Sequence, residues 1–299
     1  MLHFKDLTAA GVHFGHPRTR WCPKMKPYIW GIRSGDVHLI DVAKTAQLTE
    51  RAAQFLQQTA AEGKTILWVG TKKAARDIIA NNAQRVGMPY VNHRWIGGTI
   101  SNWEQVKKSL TKLLHYEDIL SKTDKSTSLY TKKEYNVFNK VVERLSKCIG
   151  GIRTLKNPIG ALVVVDVRKE HSAIKEAVSR GIPVVALVDT DGDPSIDYVI
   201  PANDDSPRSI KILVDYLADA AARGKETADQ NREAAKKEAQ ENAETFAVSS
   251  IATDDKSLLE AEVEEADAKS ASKVAKKPLH RKPGYTGKVQ RKGSRSSSE

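Results

Sequence analysis

The sequence predicts a doubly wound α/β domain, interrupted once by a helical hairpin and followed by a charged tail. Three observations carry that prediction. Short apolar runs ending in Gly or Asp alternate with amphipathic segments of helical length. One stretch, residues 102–156, breaks the alternation with heptad-spaced apolar residues and no strand signal. Beyond Gly224 apolar periodicity stops and charged residues take over. The division that follows is an α/β domain over 1–101 and 157–224, an inserted hairpin over 102–156, and a helical extension with a low-complexity tail over 225–299.

In chain order the strand candidates are His38–Ile40, Thr65–Val69, Tyr90–Val91, Leu162–Val165, Val184–Val188 and Tyr198–Ile200. Unbroken apolar runs such as Leu162–Val165 and Val184–Val188 suit strands buried on both faces, as parallel sheets require. Between the strands lie Val42–Ala61, Lys72–Val86, Glu170–Arg180 and Ser206–Ala222, each amphipathic. Gly63, Gly87 and Gly181 follow three of these, where a glycine closes a helix in the left-handed conformation. Strands alternating with helices in this way build a parallel sheet with helices on both faces.

In the interruption, Trp103, Val106, Leu110 and Leu113 recur at spacings of 3 and 4, with Leu120 one heptad further on. Phe138, Val141, Leu145, Cys148, Ile152 and Leu155 keep the same rhythm. Such seams pair helices as coiled coils. The polar residues Ser121–Thr131 suit the turn between them, so an antiparallel hairpin standing off the sheet is expected. Its first helix, Asn102–Leu120, would span ~28 Å at 1.5 Å per residue. The alternative is that both helices join the outer layer of the domain.

The 299 residues carry 48 Lys+Arg against 37 Asp+Glu, a formal net charge of +11. Residues 1–224 hold 33 basic and 23 acidic side chains, so nearly all of the excess lies in the predicted folded part. The tail has an acidic block over 225–268 and a basic block over 269–299, a composition expected to stay disordered beyond a helical extension. The longest apolar runs, Ala161–Val165 and Ile182–Val188, fall short of the ~20 residues that span a bilayer, so no membrane partner is expected. Lys5 and Asp6 interrupt any apolar start of the secretory kind. Cys22 and Cys148 form neither a CxxC pair nor a disulfide framework, the usage expected in the cytosol or an organelle matrix. The positive excess selects a polyanionic partner without specifying a fold.

A nucleotide-binding enzyme is the alternative that this fold class raises, with its ligand beyond the carboxyl ends of the strands. The glycine loops it needs are missing. No two glycines are separated by a single residue, so GxGxxG cannot occur. Gly63-Lys64-Thr65 looks like the end of a phosphate loop, but Gln58 holds the place of the first glycine and the segment precedes a strand. HExxH and GxSxG are absent, and Ser109-x-x-Lys112 lies on a heptad helix without partner motifs. No catalytic residue and no cofactor are expected. His16, Asp189, Asp191, Asp204 and Asp205 fall near the N-terminus or strand ends, and carboxylates there can hold a divalent ion. The preferred reading is local: Asp189–Pro194 as a turn and Asn203–Asp205 as a helix cap.

What remains is basic and aromatic. Pro17–Arg33 interleaves Arg18, Arg20, Trp21, Lys24, Lys26, Tyr28, Trp30 and Arg33, a pattern suited to phosphate contacts and stacking on unpaired bases. Gly70-Thr71-Lys72-Lys73 follows a strand and opens a helix, where N–H groups and lysines can meet a phosphate. Arg94 and Trp95 sit before the chain reversal at Gly97-Gly98. The hairpin adds Lys107, Lys108, Lys112, Lys132 and Lys133, within a stretch of 12 basic and 6 acidic residues over 101–157. Several basic sites on separate elements, without a catalytic set, point to nucleic acid. The expected nucleic-acid-contacting residues are therefore Arg18, Arg20, Trp21, Lys24, Lys26, Arg33, Lys72, Lys73, Arg94, Trp95, Lys107, Lys108, Lys112, Lys132 and Lys133.

The ordered motifs Gly11-Val-His-Phe-Gly-His16, Lys24-Met-Lys-Pro27, Val69-Gly-Thr-Lys-Lys73, Arg94-Trp-Ile-Gly-Gly98, Ser101-Asn102, Asp189-Thr-Asp-Gly-Asp-Pro194 and Ile200-Pro-Ala-Asn-Asp-Asp205 resemble the bacterial-type family of small-subunit ribosomal protein number two. The resemblance spans residues 2–224. Departures are modest: Ile96 stands for the usual Leu, Ser101 for Thr, Ala202 for Gly and Asp191 for Asn. The resemblance implies a flavodoxin-like sheet carrying an inserted helical hairpin. It implies a structural component of the small ribosomal subunit, on the solvent side near the junction of head and body, that binds small-subunit ribosomal RNA and is not an enzyme. Partners implied are neighbouring ribosomal proteins, including the large mRNA-binding ribosomal protein number one, which it would help to dock.

Overall fold

The computed structural model describes residues 2–33, 35–122, 130–234 and 236–237. The centre of the predicted hairpin turn and the tail beyond residue 237 lie outside the described residues. The chain divides into two compact units, Met1–Ala234 and Ala235–Glu299; the fold below is that of the first, and of the second only residues 236–237, which are helical, are described.

The elements run α1 (Phe4–Ala9), β1 (Phe14–Pro17), β2 (Ile29–Arg33), β3 (Val37–Ile40), α2 (Val42–Ala61), β4 (Thr65–Val69), α3 (Arg76–Val86), β5 (Tyr90–Val91), α4 (Trp103–Ser121), α5 (Lys132–Ile149), β6 (Ile159–Val165), α6 (His171–Ser179), β7 (Val184–Val188) and β8 (Tyr198–Pro201). A last helix, α7, covers residues 207–234. Five strands form a parallel sheet in the order β5-β4-β6-β7-β8. Because side chains alternate across a strand, its apolar runs feed two cores. Ile66, Trp68, Val163, Val165, Val185 and Leu187 pack on one face with residues of α2, α3 and α7. Leu67, Val69, Leu162, Val164, Val184 and Ala186 pack on the other with residues of α4, α6 and the end of α5. Each fully buried Val, Leu or Ile among these contributes about 1.5–3 kcal/mol over leaving it in water. The sheet is thus buried on both sides. Gly63, Gly87 and Gly181 all adopt positive φ, as their places after α2, α3 and before β7 require.

The segment around His38–Ile40 departs from expectation. It is the central strand of a separate antiparallel sheet, β1-β3-β2, and not part of the parallel one. Gly35 and Asp36, both at positive φ, turn β2 back into β3 as a hairpin. A short apolar run has no intrinsic direction; the direction comes from partners that the basic residues of Pro17–Arg33 concealed. The described structure is therefore mixed α/β.

Helix ends also shift. The predicted helix from Lys72 begins at Arg76, the intervening residues forming a turn. The α-helix of the second seam ends at Ile149; a 3-10 turn over Gly150–Ile152 follows, and Ile152 and Leu155 pack into the core against the sheet. α4 and α5 pack on each other, with Tyr116 stacked on Phe138 at 5.1 Å. Thr131 and Glu134 close a reciprocal capping box at the start of α5. α7 runs on past Ala222 to residue 234. Gly224 is the point where it crosses α2 so closely that a side chain would collide with the Gln57 carbonyl.

Candidate nucleic-acid interface

The carboxyl end of the parallel sheet gathers the residues that the sequence scattered. β1 delivers His16, the loop after β4 Lys72, the end of β6 Asp166, the loop after β7 Asp189 and Asp191, and the loop after β8 Asp204 and Asp205. Lys72 Nζ lies 2.7 Å from Asp204 Oδ1, 2.6 Å from Asp205 Oδ1 and 3.5 Å from Asp166 Oδ2. His16 Nδ1 lies 2.9 Å from Asp189 Oδ2, off the ring N–H axis, and its Nε2 lies 3.3 Å from Asp205 Oδ2. Arg168 pairs with Asp191 at 2.6 Å.

This density of charge moves the protonation equilibria. The Asp189 carboxylate, with Asp191 and Asp205 behind it, raises His16 to about 9 against the opposing effect of burial. Burial, then the nearby Asp189 carboxylate, pushes Asp204 up to about 7. Burial alone would lower the Lys72 ammonium; its contacts with Asp204 and Asp205 outweigh that and raise it. His16, Asp189, Asp204 and Asp205 each bring one donor atom within 4.8 Å of the others, a set of the kind a divalent ion accepts. The local reading of this region holds only in part. Asn203 Oδ1 does accept from the N–H of Asp205 and of Ser206, but the aspartates converge in one cluster as well.

The predicted RNA-contacting residues separate by environment. Lys72 is held inside the carboxylate cluster, and Thr71 directs its N–H and hydroxyl to Glu170, so these two residues are engaged internally. Lys24 pairs with Asp193 at 2.9 Å, both exposed. Trp95 is buried and donates its indole N–H to Glu176. Trp21 is half-buried and tilted against His38. By contrast Arg18, Arg20, Lys26, Lys73 and Arg94 are exposed, and Arg33 sits over the Phe14 ring. On α4 and α5, Lys107, Lys108, Lys112, Lys132 and Lys133 are exposed, and among the described residues no carboxylate pairs with them. Lys112 lies 5.8 Å from the Tyr116 ring centre.

Sequence reasoning places Trp30 in the basic and aromatic segment but not among the expected contacts. It is 76 % exposed on the edge strand β2, next to Arg33 and the exposed Ile32. Its signal was the alternation along β2, invisible until that segment is known to be a strand. No helix among the described residues is long and apolar enough to cross a membrane.

An α/β protein whose strand ends are closed by internal ion pairs, and whose unpaired cations face outward on separate elements, has the charge pattern of a nucleic-acid-binding protein. Comparison with known proteins specifies which kind. The family profile described as Ribosomal protein S2 matches residues 7–224. The chain is 47 % identical over 229 residues to a protein of Chlorobium chlorochromatii named small ribosomal subunit protein uS2, covering 76 % of this chain and 90 % of that one. A protein of the same name from Nitratiruptor is 42 % identical over 277 residues, covering 92 % of this chain and all of its own. One from Clavibacter michiganensis is 47 % identical over 221 residues, covering 74 % and 69 %. The chain belongs to the ribosomal protein S2 family, and its work is that family's: binding ribosomal RNA in translation.

Proposed function

We propose that the chain is held in the small ribosomal subunit by two cationic surfaces that contact phosphates of small-subunit ribosomal RNA. One is the hairpin face with Lys107, Lys108, Lys112, Lys132 and Lys133. The other is the N-terminal segment with Arg18, Arg20, Lys26 and Arg33, together with Lys73 and Arg94. The observation that carries this reading is the contrast in pairing: the hairpin lysines are exposed without carboxylate partners among the described residues, whereas Lys72 is neutralised from within. Side chains do not reach base edges in the deep groove of duplex RNA, so recognition rests on phosphates and shape.

The finer assignments go with this reading. The order β5-β4-β6-β7-β8 is the flavodoxin-type arrangement, which supports a doubly wound core over 1–101 and 157–224 with the hairpin 102–156 inserted as a module. Neighbouring ribosomal proteins, among them ribosomal protein number one, are the inferred protein partners, in the cytoplasm or an organelle matrix. No catalytic or cofactor role is assigned.

The test is to neutralise Lys107, Lys108, Lys132 and Lys133 together and follow co-sedimentation with small subunits across a salt series. Affinity should fall, and the salt slope should flatten by about one for each phosphate that is no longer neutralised. Incorporation equal to wild type at raised salt would leave these lysines as a solvated face.

A further inference from the structure

The chain enters the hairpin through residues 95–101, a loop that makes little regular structure and therefore has backbone donors to satisfy. α4 has no side-chain cap of its own at Asn102. The donors instead converge on one carboxylate from another part of the chain, Glu176 on α6. Glu176 Oε1 accepts from the Trp95 indole at 3.1 Å and from the Gly98 N–H at 2.8 Å. Its Oε2 accepts from the N–H of Ile100 at 3.1 Å and of Ser101 at 3.3 Å, with the Ser101 hydroxyl at 3.4 Å. One turn along, Arg180 donates to the Ser101 carbonyl at 2.6 Å. α4 starts two residues beyond Ser101, so the last clamped amide lies directly at the root of the hairpin.

We infer that Glu176 is a positioning residue for RNA binding: by clamping the loop 95–101 to α6 it fixes how the lysine-bearing hairpin leaves the sheet. The inference rests on the hairpin reading above. A carboxylate suits this work better than a neutral group, because both oxygens only accept and every neighbour here donates. Burial disfavours its charge, yet the N–H of Gly98, the Trp95 indole and the N–H groups of Ile100 and Ser101 outweigh that and hold its pKa below the usual glutamate value. The hydrogen bonds stabilise the ionised form, and the ionised form orders the loop. A rigid root means that hairpin lysines meet their phosphates without a further entropic cost of orientation.

Glu176→Gln keeps the shape and turns half of the acceptor into a donor facing donors. In the full chain, hydrogen exchange at Gly98, Ile100 and Ser101 should accelerate at least about tenfold, the scale of one charge-assisted hydrogen bond, while the strands of the parallel sheet stay protected. Incorporation into small subunits at raised salt should fall several-fold. In a background with Lys107, Lys108, Lys112, Lys132 and Lys133 all neutralised, Glu176→Gln should cost nothing further, since positioned groups that are absent cannot be mispositioned. Unchanged exchange at the three amides overturns the clamp. An incorporation defect of equal size in both backgrounds overturns the positioning role and leaves a structural one. A lysine variant that incorporates normally removes the hairpin reading and this proposal with it, while the exchange measurement still reports on the clamp. Should Glu176→Gln not fold, Arg180→Met releases the Ser101 carbonyl from the same joint and must give the same pattern in weaker form; no change in exchange there also overturns the proposal.

Discussion

At the carboxyl end of the parallel sheet Lys72 has three carboxylates within 3.5 Å, whereas on α4 and α5 the exposed Lys107, Lys108, Lys132 and Lys133 have none among the described residues. Both regions are basic in sequence, and both present lysines that can meet phosphate. The difference is what the tertiary fold brings to them. The sheet end collects the ends of β6, β7 and β8, and these carry aspartates; a lysine there becomes a structural cation. The exposed lysines of α4 and α5 meet no such carboxylates among the described residues, so they keep their charge for an external partner. Charge in a sequence window thus measures a capacity to bind anions, and burial decides whether that capacity is used inside or outside.

The comparison can be broken most severely at Lys72. Lys72→Met should destabilise the fold by about 3 kcal/mol, because buried Asp204 and half-buried Asp166 would lose the ammonium that offsets their charge. Denaturant unfolding measures this, and a loss below about 1 kcal/mol would mean that the cluster does not depend on its lysine. Leu145→Asp strikes the other region. Leu145 is only partly buried between α5 and the core, so the expected cost is nearer 2 kcal/mol. Exchange should accelerate in α4 and α5 and leave β4, β6 and β7 protected; uniform loosening would show that hairpin and sheet unfold as one unit. Neutralising the four hairpin lysines should change stability by less than about 0.5 kcal/mol, the ordinary range for solvated surface positions. A large stability loss would mean that they have partners within the protein.

The smallest effect concerns pH, and it sharpens the contrast between two carboxylates near α6. Glu170 and Glu176 sit six residues apart and both hold a loop, Glu170 through Thr71 and Glu176 through residues 95–101. Burial raises the Glu170 pKa, while its several donors lower that of Glu176. A lowered folded pKa gives stability that is present above the unfolded value and is lost as pH falls through the folded value. The 95–101 clamp should therefore persist at neutral pH and through the ordinary glutamate range, and loosen only on stronger acidification. The amide shifts of Gly98, Ile100 and Ser101 should share one inflection below the usual glutamate value and lose it in Glu176→Gln. An inflection at or above the ordinary value would mean that burial dominates there too.

Much of the fold was legible before any tertiary contact was known. The strands β4 to β8, the helix α2, the three glycines at positive φ and the two hairpin helices follow from the identity of near neighbours in the chain. Apolar period, β-branched runs and freedom at φ act over a few residues, and the sequence records them directly. The absence of a phosphate loop was equally plain, because such a loop is a local pattern. Only the tertiary structure decided the rest. It made His38 part of an antiparallel sheet, because strand direction depends on partners. It buried Trp95, because a loop tryptophan is enclosed only by what packs on it from α6, and it exposed Trp30, because the face of a strand becomes known only with its register. It enclosed Lys72 with Asp204 and Asp205, more than 130 positions away, and left Lys107 in solvent. It made Glu176, which nothing in its own window distinguishes, the fixing point of a loop some 75 residues earlier. Those outcomes are pairings across long loops, and their energies depend on distance and burial, which a linear sequence does not contain.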